Sequence, residues 1–295
     1  MPRVALATCS EFPELDPDDV HVPPALARIG IEGVPVVWNQ PHDWSSYDAV
    51  VVRNTWDYVD DVEGFLAWTR EVEAVTRLLN PADVIAWNLN KAYLRELAQA
   101  GIPVVPTQFV EPGDDLSGWA PPSGAAEFVV KPAVSCGSRD TVRHSGGGSA
   151  AAAREQIARL TEDGRTVMVQ PYLDSVDTAG ETALLFFNGT FSHAIRKGQL
   201  LAPNVEGETV GGLFVQEQID PREPSAAELA VAERVIAAIP GGVQRTLHAR
   251  VDLILDAEQN PVLLELELTE PSVFVRYSEG AADRFASAIA ARVAG

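Results

Sequence analysis

The segment HARVDLILDAEQNPVLLELEL, residues 248–268, limits the possible folds more than any other part of the chain. Two apolar runs flank a polar AEQN stretch, a pattern that closes as an antiparallel hairpin. With 257–260 as the loop, the register sets Asp252 opposite Glu265 and Arg250 opposite Glu267. Side chains alternate between the faces of a strand, so Arg250, Asp252 and Ile254 share one face with Glu265 and Glu267. Val251, Leu253 and Leu255 take the other. Three carboxylates therefore gather on one face of an otherwise apolar hairpin, where directly opposed like charges cost up to ~1 kcal/mol. Two arrangements relieve the conflict. One is hydration on a solvent-facing strand; the other is a divalent cation, and an oxygen-only ligand set suits Mg2+. The small residues Thr269, Pro271 and Ser272 around Glu270, two of them polar, end the second strand as a chain entering a site would.

Upstream, short aliphatic runs at Arg3–Thr8, 34–38 and 48–53 alternate with helical segments, the pattern of a parallel sheet buried on both faces. Pro23 and Pro24 confine the first crossover helix to about 22–30. Asp60 with Glu63 predicts the start of a second helix, whose stripe Phe65, Trp68, Val72, Val75 and Leu79 runs to a stop at Asn80-Pro81. A third helix is predicted over 88–100, with Gly101 as its cap. Residues 111–126 are turn-rich. EFVVKP then reads as a strand ending near Lys131, followed by a Gly/Ser-rich segment, 135–149, and an Ala-rich helix closed by Gly164. From Val167 the chain is mostly strand, interrupted by one helix with the capping box Ser225 and Glu228, and it closes in an amphipathic helix over 281–293. The expected class is mixed α/β and α+β: a small parallel α/β domain over 1–87, a central lobe over 88–168 and a C-terminal lobe over 169–295.

Charge narrows the partners. Lys and Arg number 22 against 42 Asp and Glu, a net charge of -20 with no basic run, which argues against nucleic acid or anionic membrane. Any anion bound here needs a local cluster of cations or a metal. Lys131 at a strand end, Lys91 near a helix start, and Arg196 with Lys197 are candidates for that cluster, or else ordinary solvated cations. Segment 135–149 is either a surface loop or a flap whose backbone amides close over phosphates; it matches neither a P-loop nor a dinucleotide fingerprint. The two cysteines, Cys9 and Cys136, form no disulfide framework or zinc spacing, and the five histidines show no triad or metal spacing. The opening MPRVALATCSEFPE reads as a buried strand rather than a signal peptide, and no apolar stretch reaches 18 residues. The expectation is a cytoplasmic protein.

In order along the chain, NKAYLRELAQAGIPVVPT, FVVKP, VQPYL, GETALLFFNG, ARVDLI and LLELEL resemble the ATP-grasp superfamily, which includes D-alanine–D-alanine ligase and glutathione synthetase. The resemblance implies two lobes clamping ATP behind a preceding α/β domain. It implies that Lys91 and Lys131 hold the α- and β-phosphates, with Ser138 in a loop above the triphosphate. Gln170, Pro171, Tyr172 and Leu173 would form the adenine hinge and Glu181 would meet the ribose. Asp252, Glu265 and Glu267 would hold Mg2+, while Arg250 and Lys197 stabilise charge during transfer. Glu267 departs from the superfamily, which usually carries Asn there. LATCSEFPELDPDD, RNTWDY and LELELTEPS further resemble the branch containing the O-ureido-D-serine cyclo-ligases of D-cycloserine biosynthesis, from which the Pro23-Pro24 pair departs. This branch implies a substrate carboxylate activated as an acyl phosphate and a ring closed by a nitrogen of the same molecule, with ADP, phosphate, CO2 and ammonia released. Arg53, Asn54, Thr55 and Asp57, following a first-domain strand, are expected to bind the amino-acid-like substrate. Two other readings remain open: an intermolecular amino-acid or peptide ligase, and an ATP-binding regulatory protein without turnover. Either a monomer or a homo-oligomer is compatible with the sequence.

Overall fold

The computed structural model describes residues 1–199, 201–205, 209–210, 213–215 and 218–294. Three larger sheets organise these residues, beside a two-stranded antiparallel pair of Thr209–Val210 with Phe214–Val215. The first is parallel, with strand order Glu32–Val37, Arg3–Thr8, Ala49–Asn54, Arg77–Leu79. Ala49–Asn54 is buried along its whole length, as a central parallel strand covered on both faces must be. The crossover helices are Val22–Arg28, with prolines in its first turn, and Val62–Val75, which buries Phe65, Trp68 and Val72. The second helix is capped by Asp61, whose side chain accepts from the Gly64 amide, rather than by Asp60. It also ends sooner than its apolar stripe suggests. The chain turns extended at Thr76 and adds Arg77–Leu79 as a fourth strand, so Asn80-Pro81 terminates a strand and not a helix.

The predicted helix over 88–100 is two helices, Ala82–Leu89 and Tyr93–Gln99. Asn90 is extended between them, and its side chain accepts from the Ala92 amide, an interaction that competes with helix continuation. The second sheet is antiparallel, in the order Gln108–Val110, Val167–Pro171, Glu127–Pro132, Val142–Ser145, with helix Ser149–Glu162 packed on it. Val167–Pro171 stays intact in this sheet, pairing with Glu127–Pro132 as far as Pro171. The expected boundary at 168 thus lies within a strand of this sheet. Segment 135–149 is likewise not one loop, since 142–145 is a strand and Ser149 opens a helix.

The third sheet is antiparallel and five-stranded, in the order Ile219–Arg222, Thr190–Lys197, Glu181–Phe187, His248–Leu255, Pro261–Glu267. The closing helix, Ala281–Val293, spans the expected residues. Its Phe285 and Ile289 share one core with Leu6 and Leu26 of the first domain and Leu185 and Phe187 of the third sheet. That shared core fixes the first domain against the C-terminal sheet. Among the described residues no helix is long and apolar enough to cross a membrane.

Candidate active site

The hairpin carries the expected pairs, Asp252 with Glu265 and Arg250 with Glu267. Near the turn the register is offset by one, because Leu255 pairs with Pro261 and the loop is one residue longer than expected. A bulge at Leu264, between the Asp252 and Leu253 pairs, absorbs the offset and returns the carboxylates to a common face. This face is not a hydrated surface strand. It floors a cavity of about 520 Å3 between the three sheets.

The free edge of Pro261–Glu267 is closed by side chains from 80–93 and by backbone from 103–105. The Asn88 amide donates to the Leu266 carbonyl at 2.8 Å and its oxygen accepts from the Leu268 N–H at 2.7 Å. The Tyr93 hydroxyl donates to the same carbonyl and accepts from the Leu266 N–H, both at 2.8 Å. Asn80 donates to the carbonyls of His248 and Leu268, and Leu263 exchanges bonds with Pro103 and Val105. An edge strand covered in this way holds its side chains in one place.

Lys91, Lys131, Lys197 and Arg250 line the cavity together with Glu181, Asp252, Glu265 and Glu267. Four cations thus gather beside four carboxyl groups at this part of the cavity, a local concentration of positive charge in a chain of net charge -20. Lys91 lies in the break between two helices rather than in a first helical turn. Its ammonium pairs with Glu265 at 3.1 Å and donates to the Ser135 carbonyl at 2.8 Å. Lys197 bridges Asp252 at 2.8 Å and Glu181 at 3.0 Å. Arg250 contacts Asp252 at 2.9 Å and also pairs with Glu267. Lys131 is 9% exposed and has no ion-pair or hydrogen-bond partner for its ammonium among the described residues.

The acidities follow this arrangement. Burial opposes ionisation of Asp252, but Arg250 and Lys197 overcome it and hold the carboxyl down to about 2. Glu265 is likewise lowered, against burial, by Lys91 and Lys131. Burial pushes Glu267 up to about 8, the nearby Glu265 and Asp252 adding to it and Arg250 opposing it. Burial lowers Lys131 and outweighs the pull of Glu265.

No group of three His, Cys, Asp or Glu among the described residues has metal-ligand spacing. The trio Asp252, Glu265 and Glu267 meets in one cavity, with cations between its members rather than as a ready-made cage. The donor set still fits Mg2+, which takes one or two carboxylates plus phosphate oxygens and water.

Gln170, Pro171, Tyr172 and Leu173 line the same cavity, as do the apolar Val105, Val129, Ile254 and Leu264. The Gln170 amide donates to the Thr107 hydroxyl at 2.9 Å, and the Arg143 guanidinium lies 3.5 Å from the Tyr172 ring centroid. Ser138 lines the cavity from a turn in which it, Gly137 and Asp140 have positive φ. All thirteen residues that the sequence assigns to nucleotide, metal or charge stabilisation thus border one cavity.

The four expected substrate residues do not. Arg53 is fully buried, paired with Asp19 at 2.9 Å and donating to the Pro271 carbonyl at 2.7 Å. Asn54 donates to Asp19 at 3.0 Å, Thr55 is buried, and Asp57 accepts from Trp38 Nε1 at 2.6 Å. The cavity instead takes Asp16, Asp18, Trp56, Tyr58, Glu270, Arg276 and Tyr277 on this side. The phrases ELDPDD, RNTWDY and LTEPS hold most of them. The misassignment was of residues within the phrase, because nothing local shows that Arg53 turns away to meet Asp19.

Fold and site together are those of an ATP-grasp ligase. A D-alanine–D-alanine ligase from Bacillus anthracis, solved in complex with ATP, shares this fold with a TM-score of 0.65 and 14% identity, over all of this chain and 98% of that one. The particular family is narrower. Residues 4–80 match the family model described as the N-terminal domain of D-cycloserine synthetase DcsG. The cycloserine biosynthesis protein DcsG of Streptomyces lavendulae is 39% identical over 286 residues, 94% of this chain and 95% of that protein. The crystal structure of D-cycloserine synthetase DcsG is 36% identical, with a TM-score of 0.87 over 99% of each chain. The chain belongs to the D-cycloserine synthetase family of ATP-dependent ligases.

Proposed function

We propose that the protein closes the ring of O-ureido-D-serine, with hydrolysis of ATP, to give D-cycloserine, CO2 and ammonia. The observation that carries this reading is the cluster of cations and carboxyl groups, in which Lys131 has no partner among the described residues, beside apolar lining residues in a chain of this family. Phosphoryl transfer asks for positioning and charge neutralisation rather than covalent help from the protein. Lys91 and Lys131 would grip the phosphates, residues 170–173 would cradle the base, and Arg250 and Lys197 would stabilise charge on the transferred group. Asp252, Glu265 and Glu267 would hold Mg2+, which supplies neutralisation of phosphate charge when bound. The substrate carboxylate attacks the γ-phosphorus, giving an acyl phosphate and ADP. The ureido nitrogen bonded to oxygen then displaces phosphate, and hydrolysis of the carbamoyl group yields CO2 and ammonia. Ring closure gains from having both reacting groups in one molecule.

The substrate end is assigned to Asp16 and Asp18 for the α-ammonium, with Arg53 and Asn54 acting on them through Asp19. Burial pushes Asp16 up to about 7 and Asp18 up to about 6, and both would ionise fully against an ammonium. The test is phosphate release from Mg-ATP with O-ureido-D-serine and its L isomer, followed by pairs of amino acids, with products read by mass. Release with the ureido compound and a cyclic product supports the proposal. Release only with two amino acids would move the protein to the intermolecular ligases. Tight nucleotide binding without release would mark a regulatory protein.

A further inference from the structure

Glu270 lines the cavity between its phosphate end and its first-domain end, and it makes no ion pair among the described residues. It follows the strand Pro261–Glu267 where the chain leaves the sheet. The first domain holds the backbone here: Trp56 Nε1 donates to the Glu270 carbonyl at 3.1 Å, and Arg53 donates to the Pro271 carbonyl. Tyr58, Lys91, Cys136 and Glu265 line the same cavity and are the groups that act on its carboxyl.

Resting on the ring-closing reading above, we infer that the Glu270 carboxylate accepts the proton from the nitrogen that closes the ring. The nitrogen lone pair attacks the acyl carbon and forms the C–N bond. The N–H proton passes to Glu270, and the C–O bond to phosphorus breaks with its electron pair leaving on inorganic phosphate. Deprotonation of Glu270 by water resets the site.

The surroundings suit this task. Efficient proton transfer needs an acceptor whose proton affinity is close to the working pH. Burial pushes Glu270 up to about 7, Lys91 and the Tyr58 hydroxyl opposing and Glu265 assisting. Asp252, held down to about 2 by two cations, is too weak a base. Burial also raises Tyr58 and Cys136 well above their ordinary values, so both stay neutral and orient the carboxylate as donors.

The experiment uses the full chain, Mg-ATP and O-ureido-D-serine, with hydroxylamine present to trap the acyl phosphate as a hydroxamate. In wild type, kcat for ring product should rise with pH through an apparent value of about 7. Glu270→Gln should lower that kcat on the order of 100-fold and abolish the rise, while hydroxamate yield and the KM for ATP stay unchanged. Glu270→Asp should restore part of the rate, and it serves alone if the Gln variant does not fold. Ring product at wild-type kcat in either variant overturns the inference. So does a raised substrate KM with kcat intact, which would mark Glu270 as an ammonium ligand. Wild-type protein that makes neither hydroxamate nor ring overturns the ring-closing reading itself, which separates the two failures.

Discussion

Lys131 brings a positive charge into a site where Lys91, Lys197 and Arg250 have each found a carboxylate. An unpaired buried charge costs free energy in the ligand-free protein and returns it when an anion arrives. Lys131→Met is therefore expected to raise the melting temperature of ligand-free protein, by ~2–4 °C for a gain near 1 kcal/mol. The same change should weaken ATP binding ~10–100-fold, the range of a lost charge-assisted bond. Thermal melting and nucleotide titration on one sample check both directions, and a lower melting temperature would contradict the argument. Arg53 makes the opposite case. Its partner Asp19 is 1% exposed, so Arg53→Ala leaves a buried carboxylate uncompensated. The expected loss is ~3–5 kcal/mol of stability, read by denaturant unfolding.

At the scale of elements, the position of the cavity carboxylates depends on how the outer edge of Pro261–Glu267 is closed. Asn88 supplies both a donor and an acceptor there, so Asn88→Ala strands one N–H and one carbonyl in a buried setting. We expect a loss of ~1–3 kcal/mol in stability together with a raised Mg2+ requirement for turnover, as Glu265 and Glu267 lose their fixed position. A Mg2+ titration of ATPase activity beside a denaturant melt checks the pair. The same elements show what the sequence discloses. The hairpin register was legible because period-two alternation and apolar content act over a few residues, and the Leu264 bulge preserved it despite the longer loop. The role of Asn88 was not, since its partners lie nearly 180 positions away. Arg77–Leu79 was hidden because Leu79 continues the helical stripe, whereas parallel pairing with Ala49–Asn54 pulls the segment straight. Arg53 was misread for a related reason: a cation after a strand looks the same whether it faces a ligand or a buried aspartate.

At the scale of the whole molecule, the buried groups set how stability depends on pH. Burial lowers His193 to about 4 and His248 to about 3. Each binds a proton more readily when unfolded, so its contribution to stability is lost as pH falls below ~6.5 towards those values. Asp16, Asp18, Glu267 and Glu270 move the other way, to about 7, about 6, about 8 and about 7. Their unfolded counterparts ionise near ~4, so the folded protein holds extra protons between there and its own values, and stability is lost as pH rises through that window. Between pH 6 and 8 the two histidines recover their contribution as the unfolded chain finishes titrating near ~6.5, but the four raised carboxyls lose more over the same interval and dominate the slope. A net charge of -20 adds self-repulsion of the same sign as the last protons leave. The ligand-free protein should therefore melt at a higher temperature at pH 6 than at pH 8, although many enzymes with paired surface carboxylates do the reverse. Melting curves across that interval at fixed ionic strength decide it. A melting temperature that climbs steadily to pH 8 would mean that Asp16, Asp18, Glu267 and Glu270 are already ionised and compensated in the folded state, which would also remove Glu270 as a proton acceptor near neutrality.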